Sequence, residues 1–450
     1  MIQYDQLMAV QKEALARADG RDRYGFFLEQ GLGKSALAIY ESSQLSGMSS
    51  RTIVFCPNSL ISNWVEQLEI WGSEDTTYSI APHRAGINAQ YMIYNYESII
   101  ATPGKFLPQY AKDAYIIFDE SVQIKNFKSA RWKEIRTWYD DAAYIRLLSG
   151  RPMVQNAMDL WTQLRLLKAD INPNPYAFRN RYCKMGGWMG KQVIGHLNAD
   201  ALGQKMGAVS WQAKKIDWLE DCPEKLYTHR TFKMLPEQQR HYVDMFDHMV
   251  VEIQEDEYIT VEQAAHKYMK LQQISSGFMY DEERETRMLM EPKKNPKLQL
   301  LLETLEGIDT KVIVFAFFKP TVAMLVEELK CPTIMSGMSP DEIRKAKDAF
   351  NGDPEVQTIV CQVDSGKYGH TLLGTPLRPC FTTIFFENNY SLDARIQSED
   401  RNHRKGQGND HVLYIDFIGP PIEAHVMKML QAKNDMSNYI MGLATKGVEQ

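Results

Sequence analysis

The chain has 450 residues, of which 44% are hydrophobic, 24% charged and 11% aromatic, which is ordinary globular usage. That composition excludes long disordered tails, collagen-like repeats and low-complexity arrays as dominant features, and the length suits two large domains or three smaller ones. Lys and Arg number 51 against 57 Asp and Glu, a net charge of −6; a polycation coating nucleic acid through bulk charge is excluded, although a local basic cleft is not.

In chain order, TIVFCP (52–57), YMIYNY (91–96), AYIIFDE (114–120) and AYIRLLSG (143–150) are short β-branched or aromatic runs, with a helical pattern over SNWVEQLEIW (62–71) between them. Such runs suit buried strands of a parallel sheet. From about Asp159 to Leu300 these runs thin out and helical spacing dominates, as in 236–258 and 260–278. One β-like run, LYTHRTFKML (226–235), interrupts this stretch, and the lobe boundary is expected just after it. A second series follows: KVIVFAFF (311–318), QTIVCQV (357–363), TTIFFENN (382–389) and HVLYIDFI (411–418), with a helix over TVAMLVEELK (321–330). Strand alternating with helix predicts an α/β protein with two doubly wound parallel-sheet lobes. The expected division is 1–233, with a helical insertion at about 165–213, and 234–450, with a helical insertion at about 236–291. The amphipathic segment IEAHVMKMLQAK (422–433) is expected to pack on the second lobe.

Three segments carry chemistry. YGFFLEQGLGKSALAIY (24–40) reads as strand, glycine-rich turn, Lys-Ser and helix. Gly31 and Gly33 let backbone N–H groups curl around phosphate oxygens, and a helix starting near Lys34 aims its positive end at them. Lys34 would neutralise the β- and γ-phosphates of ATP, and the Ser35 hydroxyl would ligate Mg²⁺. Leu28 stands where the consensus loop begins with Gly. The second segment, AYIIFDESVQIKN (114–126), ends a strand in two carboxylates. Asp119 can hold Mg²⁺ and Glu120 can polarise an attacking water as general base. Together the two segments form a Walker A/B pair. The third is DARIQSEDRNHRKGQ (393–407), where Arg401 and Arg404, three apart, would share a helix face. Guanidinium groups at a γ-phosphate are worth about 10³–10⁵ in rate. The first series has the phosphate loop and the second has the arginines, which suggests ATP sits between the lobes.

The full set resembles the Swi/Snf-type ATPases, the remodeller branch of helicase superfamily two, nearly end to end. QKEALARADGRDRYGFFLEQGLGKS resembles the family's Gln motif and motif I, with Gln11 (Gln6 being the weaker candidate) as adenine reader. IVFCPNSLISNWVEQLEIW resembles motif Ia, IYNYESI motif Ib, DESVQIKN motif II and LLSGRPMVQNAMDLWTQLRLL motif III. KKIDWLEDCPEK and LPEQQRHYVDM resemble the segments that follow. KVIVFAFF, SGMSPDEIRKAKDAF, IVCQVDSGKYGHTL and QSEDRNHRKGQ are similar to motifs IV, IVa, V and VI, with Gln397 of the last as a nucleotide contact. The chain departs from the pattern at Ser121 and Val122, which replace Ala and His of motif II, so that the polar link from that His is absent. Arg151 replaces the Thr of motif III, Lys367 a Gly of motif V, GTPLRPC (374–380) looks inserted, and SWQAKK (210–215) lacks paired arginines.

The resemblance implies two RecA-like lobes bridging the phosphates of one DNA strand. Ser59, Lys125 and Asn126 would supply hydroxyl, cationic and amide donors to the backbone, with little sequence specificity. The expected activity is that of an ATP-dependent double-stranded DNA translocase, a bare monomeric motor core of prokaryotic or viral type. The alternatives are a helicase that separates DNA or RNA strands, with single-stranded DNA or RNA as partner, and a nucleic-acid-binding module with a decayed ATPase.

The remaining signals are negative or weak. The six Cys are scattered with no C-x-x-C pair, which points to reduced thiols and a cytoplasmic location rather than a zinc ribbon or disulfide scaffold. The start, MIQYDQLMAVQKEAL, lacks a secretory pattern, and no apolar run approaches the roughly 18 residues of a membrane span. No His spacing suggests metals beyond Mg²⁺. Trp188 is expected to pack within its own small insertion rather than stack on a base.

Overall fold

The computed structural model describes residues 2–446 apart from 46, 48, 50, 81–88, 102–107, 187–191, 256–260, 282, 284, 364–370 and 405–407. Two units separate: Met1–Glu220 together with Ala432–Gln450, and Asp221–Gln431.

In the first unit the strands are β1 (Arg23–Leu28), β2 (Thr52–Cys56), β3 (Tyr78–Ile80), β4 (Tyr91–Asn95), β5 (Tyr115–Asp119), β6 (Tyr144–Leu148), β7 (Cys183–Gly186), β8 (Gln192–His196) and β9 (Ser210–Ala213). The helices are α1 (Ala9–Ala18), α2 (Lys34–Gln44), α3 (Ile61–Trp71), α4 (Ala130–Ile135), α5 (Met158–Leu166), α6 (Pro175–Tyr182), α7 (Ala199–Gly207) and α8 (Lys215–Trp218). Seven strands make one parallel sheet in the order β3-β4-β2-β5-β6-β1-β9. Alternate residues of each strand enter opposite cores. Ile53 and Phe55 of β2 pack with Phe118 and Leu147 on one face, while Val54 and Cys56 pack with Ile117 and Leu148 on the other. Burial on both faces is why these strands read as unbroken apolar runs. From β1 the chain jumps over β5 and β6 to reach β2, and such reversals open a crevice at the carboxyl ends of the strands.

The stretch 165–213 is not the purely helical insertion its spacing suggests. It holds the antiparallel hairpin β7–β8, and β9 is the sheet's edge strand beside β1. Cys183, Met185 and Val193 turn to the core while Lys184 points outward, a period of two that competes with the helical pattern. Trp188 lies outside the described residues.

The second unit contains β10 (Glu224–Thr231), β11 (Phe278–Tyr280), β12 (Thr286–Met288), β13 (Val312–Ala316), β14 (Thr333–Ile334), β15 (Thr358–Gln362), β16 (Thr382–Phe385) and β17 (His411–Ile418). Its helices are α9 (Pro236–Glu255), α10 (Val261–Ser276), α11 (Pro296–Glu306), α12 (Lys319–Leu329), α13 (Pro340–Gly352), α14 (Leu392–Glu399) and α15 (Pro421–Lys446), the last running on into the first unit's share of the chain. A parallel sheet runs β10-β17-β16-β13-β15-β14. Both units are therefore RecA-like doubly wound α/β lobes.

The division expected after residue 233 is displaced. All eight residues of β10 pair with β17, from Glu224↔His411 to Thr231↔Ile418, so this run opens the second lobe rather than closing the first. As an edge strand it is mostly exposed and polar, which hides its membership from a hydrophobic pattern. At the other end, Ile440 and Met441 of α15 belong to a core of the first unit. Within the expected insertion at 236–291, α9 and α10 are followed by the β11–β12 hairpin. No helix among the described residues is long and apolar enough to cross a membrane.

Candidate nucleotide site and motor motifs

The turn between β1 and α2 is built on two left-handed glycines, Gly31 at φ +93° and Gly33 at φ +70°. At Gly33 the requirement is double, because a Cβ there would fall 2.3 Å from Gln11 Nε2. Gln11 is buried on α1; its Oε1 accepts from the Met8 N–H at 2.7 Å and its Nε2 donates to the Gly33 carbonyl at 2.8 Å. The start of α1 is thereby fastened to the phosphate loop, and each amide atom keeps capacity for one further bond. Lys34 opens α2 and donates Nζ to the Leu28 carbonyl at 2.8 Å. Lys215, in the KKIDWLEDCPEK segment and given no role by the sequence, is buried with its stem beside Gly31, and its backbone N–H donates to Glu29 Oε2 at 2.9 Å.

At the end of β5, Asp119 is enclosed. Its Oδ2 accepts from the Trp64 indole at 2.8 Å and its Oδ1 from the Glu120 N–H at 3.0 Å, while Tyr96 donates its hydroxyl to the Asp119 carbonyl at 2.6 Å. Burial pushes the Asp119 carboxyl above its ordinary range, opposed by the charge of Lys34 and by the two hydrogen bonds. The loop lysine and the strand-end carboxylate thus act on one another. Glu120 follows at φ +50°, ψ 57°, a left-handed conformation that costs a non-glycine residue about 1–3 kcal/mol and clusters at functional sites. The donor set of Ser35 hydroxyl and Asp119 carboxylate is hard oxygen, which fits Mg²⁺; that ion commonly takes one or two carboxylates and completes its shell with phosphate and water. Among the described residues no group of three or more His, Cys, Asp or Glu could hold a metal ion.

Motif II is not left without a polar link. Val122 is buried and apolar, but Ser121 donates its hydroxyl to Gln163 Oε1 at 2.8 Å, and Gln163 Nε2 donates to the carbonyls of Pro152 and Asp159, both at 2.7 Å. Lys125 lies 3.8 Å from Asp159, whose other oxygen accepts the N–H groups of Val154 at 2.9 Å and Gln155 at 2.6 Å. Asn126 is exposed and uses its Oδ1 on the Lys128 N–H at 2.9 Å; Ser59 sits in a short helical turn, Asn58–Leu60, before α3. Arg151, in place of the family's Thr, donates to Asn434 Oδ1 at 2.8 Å.

In the second unit, Arg401 and Arg404 do not share a helix face. The helix α14 ends at Glu399, and both arginines lie in the turns beyond it. Each guanidinium is tied back by Nε to the carbonyl four residues earlier, Arg401 to Gln397 at 2.9 Å and Arg404 to Asp400 at 3.0 Å. Burial lowers the Arg404 pKa and Asp400 opposes that. Gln397 Nε2 reaches Asp393 at 3.1 Å, while its Oε1 is enclosed with no hydrogen-bond partner among the described residues. Beneath the turn lies a buried ionic cluster: Arg395 bridges Glu399 at 2.8 Å and Asp416 at 2.5 Å, and Lys225 and Tyr227 both reach Glu399 at 2.9 Å. Lys367 lies outside the described residues, and the GTPLRPC segment closes as a tight loop through a Gly374–Pro379 bridge.

Sequence reasoning missed Trp64, Tyr96, Gln163 and Asp159, all of which act on motif residues from other elements. No spacing in the sequence marks those four; in the second unit the Arg395–Glu399 spacing, which puts opposite charges one helical turn apart, was an available signal for the ionic cluster. It missed also the buried pair Arg146–Glu41 at 2.7 Å, which pins α2.

A phosphate loop at one strand end, an Asp-Glu pair at the next but one, and a second doubly wound lobe carrying paired arginines define an ATPase of helicase superfamily two. Residues 26–284 match the SNF2-related domain family, and the chain belongs to that family, the Swi/Snf-type ATPases. The "SWI/SNF-related matrix-associated actin-dependent regulator of chromatin subfamily A-like protein 1 homolog" of Caenorhabditis elegans is 26% identical over 460 residues, 96% of this chain and 61% of that protein. Its counterpart in Xenopus laevis is 26% identical over 458 residues, covering 96% of this chain and 45% of its own length. The chain therefore spans between 45% and 61% of these two relatives. The "Uncharacterized ATP-dependent helicase YqhH" of Bacillus subtilis is 21% identical over 461 residues, 92% of this chain and 75% of that one. Among solved structures, the "Sulfolobus solfataricus SWI2/SNF2 ATPase core in complex with dsDNA" is similar at 18% identity and a TM-score of 0.43, covering 99% of this chain and 95% of that one.

Proposed function

We propose that the chain is an ATP-dependent double-stranded DNA translocase, a DNA-stimulated ATPase that moves along the phosphate backbone without reading bases. The observation that carries this reading is that one sheet presents both motifs at its strand ends: the Gly31–Gly33 turn and Lys34 follow β1, and Asp119 ends β5 two strands away, with Glu120 next in a left-handed conformation. In this reading the backbone N–H groups of the Gly31–Gly33 turn and the start of α2 bind the triphosphate, and Gln11 reads the adenine edge. Ser35 and Asp119 would hold Mg²⁺, which supplies charge neutralisation on the phosphates when bound. Glu120 takes a proton from the attacking water. Gln397 contacts the nucleotide, and Arg401 and Arg404 meet charge that grows in the transition state. Ser59, Lys125 and Asn126 contact backbone phosphates, so affinity should fall steeply with salt and little with sequence.

The test is ATP turnover with duplex DNA, single-stranded DNA, duplex RNA and no nucleic acid, beside triplex-displacement and strand-displacement assays. Duplex-specific stimulation with triplex displacement is expected. Strand displacement would make the protein a helicase, and absent stimulation would reduce it to a binding module.

A further inference from the structure

Motif II and α5 face one another across two polar rungs. Ser121 meets Gln163 at 2.8 Å, and Lys125 meets Asp159 at 3.8 Å. The partners are four residues apart on each side, so on α5 they occupy one face. That face runs beside Leu160 and Leu164, both buried, and apolar residues would fill it without difficulty. Instead it carries an amide and a carboxylate, each buried, whose bonds go to motif II on one side and to the motif III loop on the other. Gln163 holds the Pro152 carbonyl; Asp159 holds the N–H groups of Val154 and Gln155. A buried amide left unpaired costs about 1–3 kcal/mol, so polar residues here need a return.

The return lies at Glu120. Its left-handed backbone is stabilised from before by the bond from its N–H to Asp119 and from after by the Gln123 N–H on its carbonyl at 2.9 Å. Ser121, with no exposed surface, fixes the next peptide. The hydrogen bonds run unbroken from the Pro152 carbonyl through Gln163 to Ser121, the residue that follows Glu120, so a displacement of the motif III loop would be passed to the peptide that aims the Glu120 carboxylate.

We propose that Ser121 and Gln163 are positioning residues: a hydroxyl–amide relay that couples the motif III loop to the general base, doing from residue 121 what Val122 cannot do. This rests on the functional reading above. A double-mutant cycle measures that coupling directly.

The experiment compares wild type, Ser121→Ala, Gln163→Met and the double variant, reading ATP turnover with and without saturating duplex DNA, the KM for ATP, and the thermal midpoint. In each single variant the ratio of stimulated to basal turnover should fall by about fivefold or more, a typical coupling energy. KM for ATP should stay within about twofold, as expected for a group that binds no substrate. The double variant should lose no more than the singles, because one relay is cut only once. A loss of packing would instead lower the midpoint and scale both turnover rates together. An unchanged ratio, a proportional fall in both rates, or losses that multiply in the double variant would overturn the relay. If Ser121→Ala does not fold, Gln163→Met alone is read by the same criteria. A stimulated wild type with equally stimulated variants overturns the relay only, whereas a wild type that duplex DNA does not stimulate overturns the functional reading and the relay with it.

Discussion

The two ends of the candidate machinery are held by opposite means. In the first lobe, Asp119 is surrounded by neutral donors, the Trp64 indole and a backbone N–H, with Ser121 and Gln163 close behind it. In the second, the turn bearing Arg401 and Arg404 stands on ions: Arg395, Asp416 and Glu399 are buried, Lys225 is half-buried, and all four are paired among themselves. Neutral donors fix a carboxylate's position without cancelling its charge, so it stays available to a cation. A closed ionic cluster cancels its own charge and serves as a rigid base for groups displayed above it. The difference matches the two tasks proposed for them, a negative group that would accept a ligand and positive groups that would be held in place.

The largest effects should come from the groups displayed rather than from what holds them. Arg404→Ala is expected to lower turnover by about 10³–10⁵, with ATP affinity little changed, because its contact strengthens in the transition state. Steady-state kinetics beside equilibrium binding of a non-hydrolysable analogue check this; a defect confined to KM would remove Arg404 from the catalytic set. Glu120→Gln should bind ATP and lose about 10²–10⁴ in turnover, the range for a positioned general base. Near-normal rates in that variant would mean the base lies elsewhere.

The ionic base should reveal itself in acid. Burial alone would raise the Glu399 carboxyl, but the Lys225 ammonium and the Arg395 guanidinium bring it down to about 2. A folded value below the unfolded one stabilises the protein above the unfolded value, about 4.5, and that contribution is lost as pH falls towards the folded value. The shift corresponds to about 3 kcal/mol. Glu399→Gln should cost about 1.5–3 kcal/mol near neutral pH, since it removes the charged acceptor that buried Arg395 and half-buried Lys225 share. The variant should also lack this part of the acid slope. Denaturant unfolding of both proteins between neutral pH and pH about 2 would show it; parallel curves would mean that the cluster does not carry the second lobe's stability.

These contrasts also mark where the sequence is legible. Doubly buried strands announce themselves as apolar runs, so β2, β5, β13 and β15 lie where composition puts them, each within two residues of its expected span. Groups brought together by local chain order, such as Gly33-Lys34-Ser35 and Asp119-Glu120, are equally visible. What fails is anything decided by one exposed face or by a distant partner. The edge strand β10 shows mostly polar, exposed residues, and a helix-face argument for Arg401 and Arg404 assumes a helix that stops at Glu399. Trp64 and Gln163 lie inside the segments that resemble motifs Ia and III, where neither carries an assigned role; only the fold discloses that one reaches Asp119 and the other Ser121.

The smallest expected effect is the most specific to the neutral-donor design. Trp64→Phe keeps an aromatic ring on α3 and removes the N–H that Asp119 Oδ2 accepts at 2.8 Å. A hydrogen bond to a charged group is worth about 1.5–3 kcal/mol, and loss of an outer partner typically weakens metal affinity about 10–100-fold. Burial already pushes the Asp119 carboxyl up, and the indole is one of the groups that oppose this, so the variant should hold its proton more tightly still. Protons and Mg²⁺ compete for the same oxygens, so the Mg²⁺ concentration needed for nucleotide binding should rise, and rise further as pH is lowered. Mere loosening of the core would weaken binding at every pH alike. Titrating Mg²⁺ against fluorescent-nucleotide binding at two pH values separates the two, and a half-saturation point that matches wild type at both would show that the indole only fills space.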